Sequence, residues 1–278
     1  MNTALVHSFE RPVTLDKFVS PVFYASSIAF FVIAYIVLQA LDANQSLFLS
    51  LNHTSQQILP DALAAHLTEI GNGALVGVLA LILVMFSPDG AKRFLFITLL
   101  SALVIAGLKK LFNDPRPASV LPIEDFHIIG DVLKKYSFPS GHTTTAFAMA
   151  GFVLLTYQNL ALRSIAVVMA LLAGIARISV GAHWPEDVFA GAALGLILAF
   201  IGAYFSQQPF SRFASYFASA FLALACVIGS ITAPADFPEI VSIGYTRSLF
   251  VVLAGLAMCY FCMRMLQIYL ATKKAASD

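Results

Sequence analysis

Runs of apolar residues long enough to cross a bilayer recur along this chain, at 20–41, 71–87, 93–111, 143–158, 162–180, 187–206, 214–233 and 248–270. A helix rises about 1.5 Å per residue and the hydrocarbon core is about 30 Å thick, so roughly 20 such residues make one span. Lipid offers no partners to backbone N–H and C=O groups, which restricts apolar segments of this length to helices that satisfy themselves. Hydrophobic residues make up 59% of the chain and charged residues 11%. The expected fold is therefore all-α, a polytopic transmembrane helix bundle of eight helices, in which the second is short and the seventh can be re-entrant.

Residues 1–20 carry Arg11, Asp16 and Lys17 and run into an apolar stretch longer than a signal-peptide core, without a small-residue cleavage site. The first segment is read as a retained span. A cytoplasmic N-terminus puts Arg11, Lys17, Lys92, Arg93, Arg163, Arg212, Lys273 and Lys274 in or beside cytoplasmic segments, as the retention of positive residues on that side favours. The other face receives Lys109, Lys110, Arg116, Lys134, Lys135, Arg177 and Arg247. A net charge of +1 gives no basis for nucleic-acid binding. Cys226, Cys259 and Cys262 all fall in spans, where they read as small buried hydrophobes.

Two outer segments stand apart. Residues 44–59 place Leu47, Leu51, Thr54 and Ile58 at near-helical intervals, with Asn52, His53 and Gln56 elsewhere on the wheel. Such a helix can lie flat on the membrane or simply connect its neighbours, with His53 and His66 at the surface. Pro60-Asp61 can start a further helix. The polar loop 113–139, with Glu124, Asp125, His127, Asp131, Lys134 and Lys135, is long enough to be a substrate-facing cap or an inert connector.

Ionisable residues beside apolar segments are costly unless solvated, paired or working, and here they fall in three groups. Lys109 is followed after six residues by Arg116-Pro117, with Pro115 and Pro117 stiffening the backbone that carries the guanidinium. An Arg fork matches two phosphate oxygens and Lys adds a point charge; the alternative is a pair of snorkelling cations. Lys110 is an interfacial bystander. Next, Pro139-Ser140-Gly141-His142 precedes the apolar run from Ala146, so Ser140 and Gly141 sit at a helix N-terminus, whose free N–H groups attract anions. The Ser140 hydroxyl can donate a further bond, and a protonated His142 can deliver a proton to a departing oxygen, although Ser-Gly-His also reads as a plain helix cap. Last, Arg177 closes a span, Gly181 permits a turn, and Trp184-Pro185 opens the next helix. Asp187 can then accept from one nitrogen of His183 and leave the other free as a nucleophile, or the pair can be an interfacial hydrogen bond. Glu186 faces elsewhere.

Lys-x6-Arg-Pro, Pro-Ser-Gly-His and Arg-x5-His-x3-Asp, in this order over residues 109–187, closely resemble the three-part signature of the type 2 phosphatidic acid phosphatase superfamily. The resemblance implies a six-helix membrane phosphatase core over 20–206, preceded by a cytoplasmic segment, 1–19, and followed by two additional spans and a tail, 207–278. It implies that His183 attacks phosphorus to form a phosphohistidine, Asp187 orients it, and His142 protonates the leaving oxygen. Lys109, Arg116, Arg177, Ser140 and the Gly141 amide would hold the phosphoryl oxygens. No cofactor and no metal is expected. One departure is Ala176, where the family often has Ser before the third-motif Arg.

The expected activity is hydrolysis of a lipid phosphomonoester or diphosphate, such as a polyprenyl diphosphate, phosphatidic acid or phosphatidylglycerophosphate. A lipid phosphotransferase using the same intermediate and a non-enzymatic lipid or anion transporter are the alternatives. The expected location is a bacterial inner membrane, with the motif-bearing face extracytoplasmic.

Overall fold

The structure, a computed structural model, describes residues 19–233 and 236–275. The expectations for Arg11, Asp16 and Lys17 lie outside these residues. Among the described residues all regular structure is helical: α1 (Pro21–Ala40), α2 (Asn44–Ile58), α3 (Asp61–Glu69), α4 (Gly73–Phe86), α5 (Gly90–Phe112), the single turn α6 (Pro117–Val120), α7 (Gly141–Thr156), α8 (Leu160–Ser179), α9 (Pro185–Phe205), α10 (Arg212–Thr232) and α11 (Val241–Ala275).

Each of the eight apolar segments holds a helix, namely α1, α4, α5 and α7 to α11. Six helices are long and apolar enough to cross a bilayer alone, and α3 with α4 can make a seventh span, bent by 59°. The break falls where Asn72 caps α4, its Oδ1 accepting from Ala74 N at 2.9 Å. This pair, rather than the seventh segment, is the interrupted one, since α10 runs unbroken for 21 residues. With 16 residues, α7 is about 24 Å long. It lies at the centre of the bundle against α8, α9 and α5. Its closest neighbour is α9, because Gly195 lets the backbones meet: a Cβ there would lie 2.4 Å from Thr144 O. Small residues serve this purpose between membrane helices, where dispersion replaces the hydrophobic effect.

Helices α10 and α11 pack on each other and on α4. Cys226 of α10 is buried, but Cys259 and Cys262 of α11 are exposed on the helix surface, contrary to the expectation of buried thiols. All three are free. Helix α2 packs on α8 and α9 through Phe48, Asn52 and Ser55, while Leu51 and Ile58 face outward. In a membrane-bordering helix the polar side can be the inward one. Asn52 shows why: its Nδ2 donates to His127 O, Ile178 O and Ser179 O, and its Oδ1 accepts from His127 N at 2.8 Å.

The inter-helix turns sort onto two faces. On one, Lys92 Nζ donates to Gln208 O, Arg93 Nη1 to Thr156 Oγ1 and Leu155 O, and Arg163 Nε to Tyr157 O. On the other, two apolar clusters bind the polar segments together: Phe48, Ala118, Phe126, Ile178, Trp184 and Val188 form one, and Ala64, Ala65, Ile129, Val180, Phe237 and Ile243 the other. That second face carries all three motifs.

Candidate active site

The site is built around the turn between α8 and α9. Gly181 has φ +75° and a Cβ there would lie 2.6 Å from His127 O, so the turn both needs a left-handed residue and runs against the 113–139 loop. His183 N donates to Arg177 O at 3.2 Å, holding the imidazole over the end of α8. Pro185 opens α9 after Trp184, which sets Asp187 in the first helical turn. Its Oδ2 accepts from Trp184 N at 3.0 Å and from Ser137 Oγ at 2.5 Å, and faces His183 Nδ1 at 3.2 Å. The Asp187 contact thus uses Nδ1 and leaves Nε2 of His183 to other partners. Both side chains are almost fully buried.

Ser140 is the N-cap of α7 and is tied to the same turn, its N donating to Asp187 O at 3.1 Å. Its buried hydroxyl is 2.8 Å from Thr143 Oγ1 and 3.4 Å from Thr143 N, so capping already occupies it. Gly141 lies against the Lys109 stem, and a Cβ there would sit 3.5 Å from Lys109 Cε. The His142 side chain is 23% exposed, yet its Nε2 is sealed and without a hydrogen-bond partner among the described residues. The carboxylate facing that nitrogen belongs to Asp236, at 3.7 Å.

Three cations complete the arrangement. Lys109 Nζ donates to Tyr136 O at 2.5 Å. Arg116 donates to Lys135 O, Ala182 O and Tyr136 O at 2.9, 2.9 and 3.4 Å. Arg177 is 2% exposed, and its Nε and Nη1 have no hydrogen-bond partner among the described residues. The loop therefore lies across the site, held by two of the cations, and it contributes Ser137. Its other polar groups point away: His127 pairs with Asp61 at 2.9 Å, and Lys134 and Lys135 are exposed. Lys110 is exposed too.

Burial pushes the imidazole pKa of His183 well below its ordinary value, and Arg116, Arg177, Lys109 and His142 push it further. His142, ahead of the apolar part of α7, is lowered by burial and then by Arg177, Arg116 and Lys109. Both rings thus feel the same three cations, and a dianion between them would relieve the repulsion. Arg177 donors that lack an acceptor among the described residues, beside an imidazole oriented by a carboxylate, are suited to phosphoryl transfer. Among the described residues no three His, Cys, Asp or Glu cluster as a metal site.

The motifs of the sequence, Lys109, Arg116, Ser140, Gly141, His142, Arg177, His183 and Asp187, all lie in or against this one region. Ser137 and Asp236 carry no motif signal in the sequence, and Asn52 enters there only as a position on the wheel of the 44–59 helix. Ser137 lies two residues before the Pro139 motif, and that adjacency was its only local signal.

A family model described as the PAP2 superfamily matches residues 90–211. The undecaprenyl-diphosphatase BcrC of Bacillus subtilis is 30% identical over 155 residues, covering 54% of this chain and 78% of that protein. A lipid A 1-phosphatase of Porphyromonas gingivalis is 41% identical over 76 residues, 27% of this chain and 17% of that protein. Among solved structures, the crystal structure of Aquifex aeolicus LpxE matches with a TM-score of 0.52 at 34% identity, covering 57% of this chain and 93% of that one. The fold and these matches define an integral membrane phosphatase. The chain belongs to the PAP2 superfamily, whose phosphatases on lipid phosphates are its relatives.

Proposed function

We propose that the chain hydrolyses a lipid phosphomonoester or diphosphate through a phosphohistidine on His183. The observation that supports this most directly is the pair of sealed donors on Arg177 that have no hydrogen-bond partner among the described residues, beside His183 whose Nδ1 is held by Asp187. Donors buried without acceptors cost of the order of 1–3 kcal/mol each, and a phosphoryl group would satisfy them. His183 Nε2 forms the P–N bond as the bond from phosphorus to the leaving oxygen breaks, and His142 gives that oxygen a proton. Water then breaks the P–N bond, returning a proton to His142. Arg177, Arg116 and Lys109, with the Gly141 amide and the Ser140 cap, stabilise the charge on the phosphoryl oxygens.

Lipid specificity is favoured by position. An apolar cavity of about 290 Å³ between α4, α7 and α8 is lined by Leu75, Ile82, Met149, Val153, Leu162 and Met169, and Ile70 forms part of its wall. Ile70 precedes Gly71, where a Cβ would lie 2.5 Å from His142 O, so an acyl or isoprenoid chain in this cavity would run up to the head-group layer beside the site. The names of the relatives make lipid diphosphates and lipid A 1-phosphates the first substrates to try. The positive residues Lys92, Arg93 and Arg163 on the face opposite the motifs favour an extracytoplasmic site in an inner membrane. Residues 20–206 are assigned as the phosphatase core.

Purified protein in detergent with EDTA is expected to release phosphate from a panel of lipid mono- and diphosphates, and His183→Ala to release none. Equal release by the variant rejects the nucleophile. Release that requires an added acceptor lipid makes the protein a transferase.

A further inference from the structure

The family match ends at residue 211, and α10 and α11 lie beyond it, yet the turn between them reaches the candidate site. Phe237 in that turn is buried with Ala64 and Ala65 of α3, Ile129 of the 113–139 loop, Val180 and Ile243. Asp131 N donates to Asp236 O at 3.0 Å. Gly130, with φ +81°, makes room for that carbonyl, since a Cβ there would lie 2.1 Å from it. Anchored in this way, Asp236 presents Oδ2 3.7 Å from His142 Nε2, the sealed nitrogen that has no hydrogen-bond partner among the described residues.

We propose that Asp236 is a positioning residue for His142: the C-terminal helical pair supplies a carboxylate that orients the imidazole and favours its protonated form. This rests on His142 being the proton donor of the reaction above. Lys109 from α5, Arg116 ahead of α6 and Arg177 from α8 all disfavour a charged His142. His183 lies in the same group, and Glu69 of α3 with Arg247 of α11 borders Asp236 and Arg177. Asp236 is the carboxylate that faces the ring from this side. At 3.7 Å the two are beyond hydrogen-bond distance, so the cations still outweigh it. In the reaction the proton passes from His142 to the leaving oxygen as that oxygen separates from phosphorus. His142 regains a proton from the attacking water.

Asp236→Asn keeps the side-chain volume and the backbone bond to Asp131, so it removes only the charge. An opposite charge at this distance moves a titration by about 1–3 pH units. The alkaline limb of the kcat profile is therefore expected to move down by about one unit or more, with roughly tenfold loss of kcat above the limb and recovery at acid pH. KM is expected not to rise, since the lost charge opposes phosphate binding. Asp236→Glu is expected to keep the wild-type limb. If Asp236→Asn does not fold, Asp236→Ser keeps the same backbone bond and gives the same reading. A folded, uncharged variant with the wild-type limb overturns the proposal. His142→Ala separates the two layers: wild-type turnover in it rejects His142 as the acid, whereas slow turnover in it with an unmoved limb in Asp236→Asn rejects the role of Asp236 alone.

Discussion

Ser137→Ala tests how the nucleophile is oriented without touching any group that meets the substrate. Ser137 is fully buried and its Oγ donates to Asp187 Oδ2 at 2.5 Å, the shortest of the three contacts to that oxygen. A hydrogen bond to a charged group is worth about 1.5–3 kcal/mol, and each 1.36 kcal/mol is a factor of ten in rate. Removing the hydroxyl should lower kcat by about 10- to 150-fold if the bond is fully expressed in the transition state. Trp184 N and His183 still hold Asp187, so the ring is loosened rather than released. KM should be unchanged, because the lost bond is remote from the lipid. The assay is phosphate release at saturating lipid phosphate in detergent, with size exclusion and a thermal melt to show that the variant is folded. Because the two residues act through one oxygen, Asp187→Asn with Ser137→Ala should be within about twofold of Asp187→Asn alone. Wild-type kcat in the folded single variant, or a fully additive double variant, refutes the role of this hydroxyl.

The pH dependence follows from the lowered imidazoles. As the proposed acid His142 has to carry a proton, and its pKa in the free enzyme lies below the ordinary value, so the alkaline limb of kcat/KM should fall below about pH 6.5. The limb of kcat should lie higher, since bound phosphoryl oxygens favour the charged ring; coincident limbs at or above pH 7 contradict this. The same burial affects stability: the pKa of His183 when folded lies well below its ordinary value, and the unfolded chain gains a proton below about pH 6.5, so this contribution is present above that pH and is lost as the pH falls. Thermal melts at pH 5 and pH 7.5 measure it, and a higher Tm at pH 5 goes against it. Inorganic phosphate at a hundred times its Kd should stabilise the protein by about 2.7 kcal/mol, and Arg177→Met should abolish the shift in Tm.

The eight apolar helices were legible because hydrocarbon imposes a length and a composition that soluble cores do not. The motifs were legible for a related reason: in a chain so poor in charge, Lys109, Arg116, Arg177 and Asp187 stand out at fixed intervals. Other features depend on packing that no local pattern encodes. On the wheel Asn52 stands off the apolar stripe of α2, and such a stripe normally marks the protein-facing side, whereas beside lipid the stripe can face outward. The bend between α3 and α4 depends on one cap at Asn72, and a Gly-Asn pair before an apolar run looks like any helix start. Ser140 was expected to donate to phosphate, but its hydroxyl is shared with Thr143. Asp236 lies 94 residues from His142, and the burial of Phe237 and the backbone bond from Asp131 bring the two together.

Brief exposure of the enzyme to a lipid phosphate labelled at its terminal phosphorus, quenched in base and mapped by peptide, tests the nucleophile most directly. An acid-labile, base-stable label on His183, absent from His183→Ala, is the predicted result. A wild-type enzyme that turns over with no label on any histidine at rapid quench, or a label that persists in His183→Ala, contradicts it.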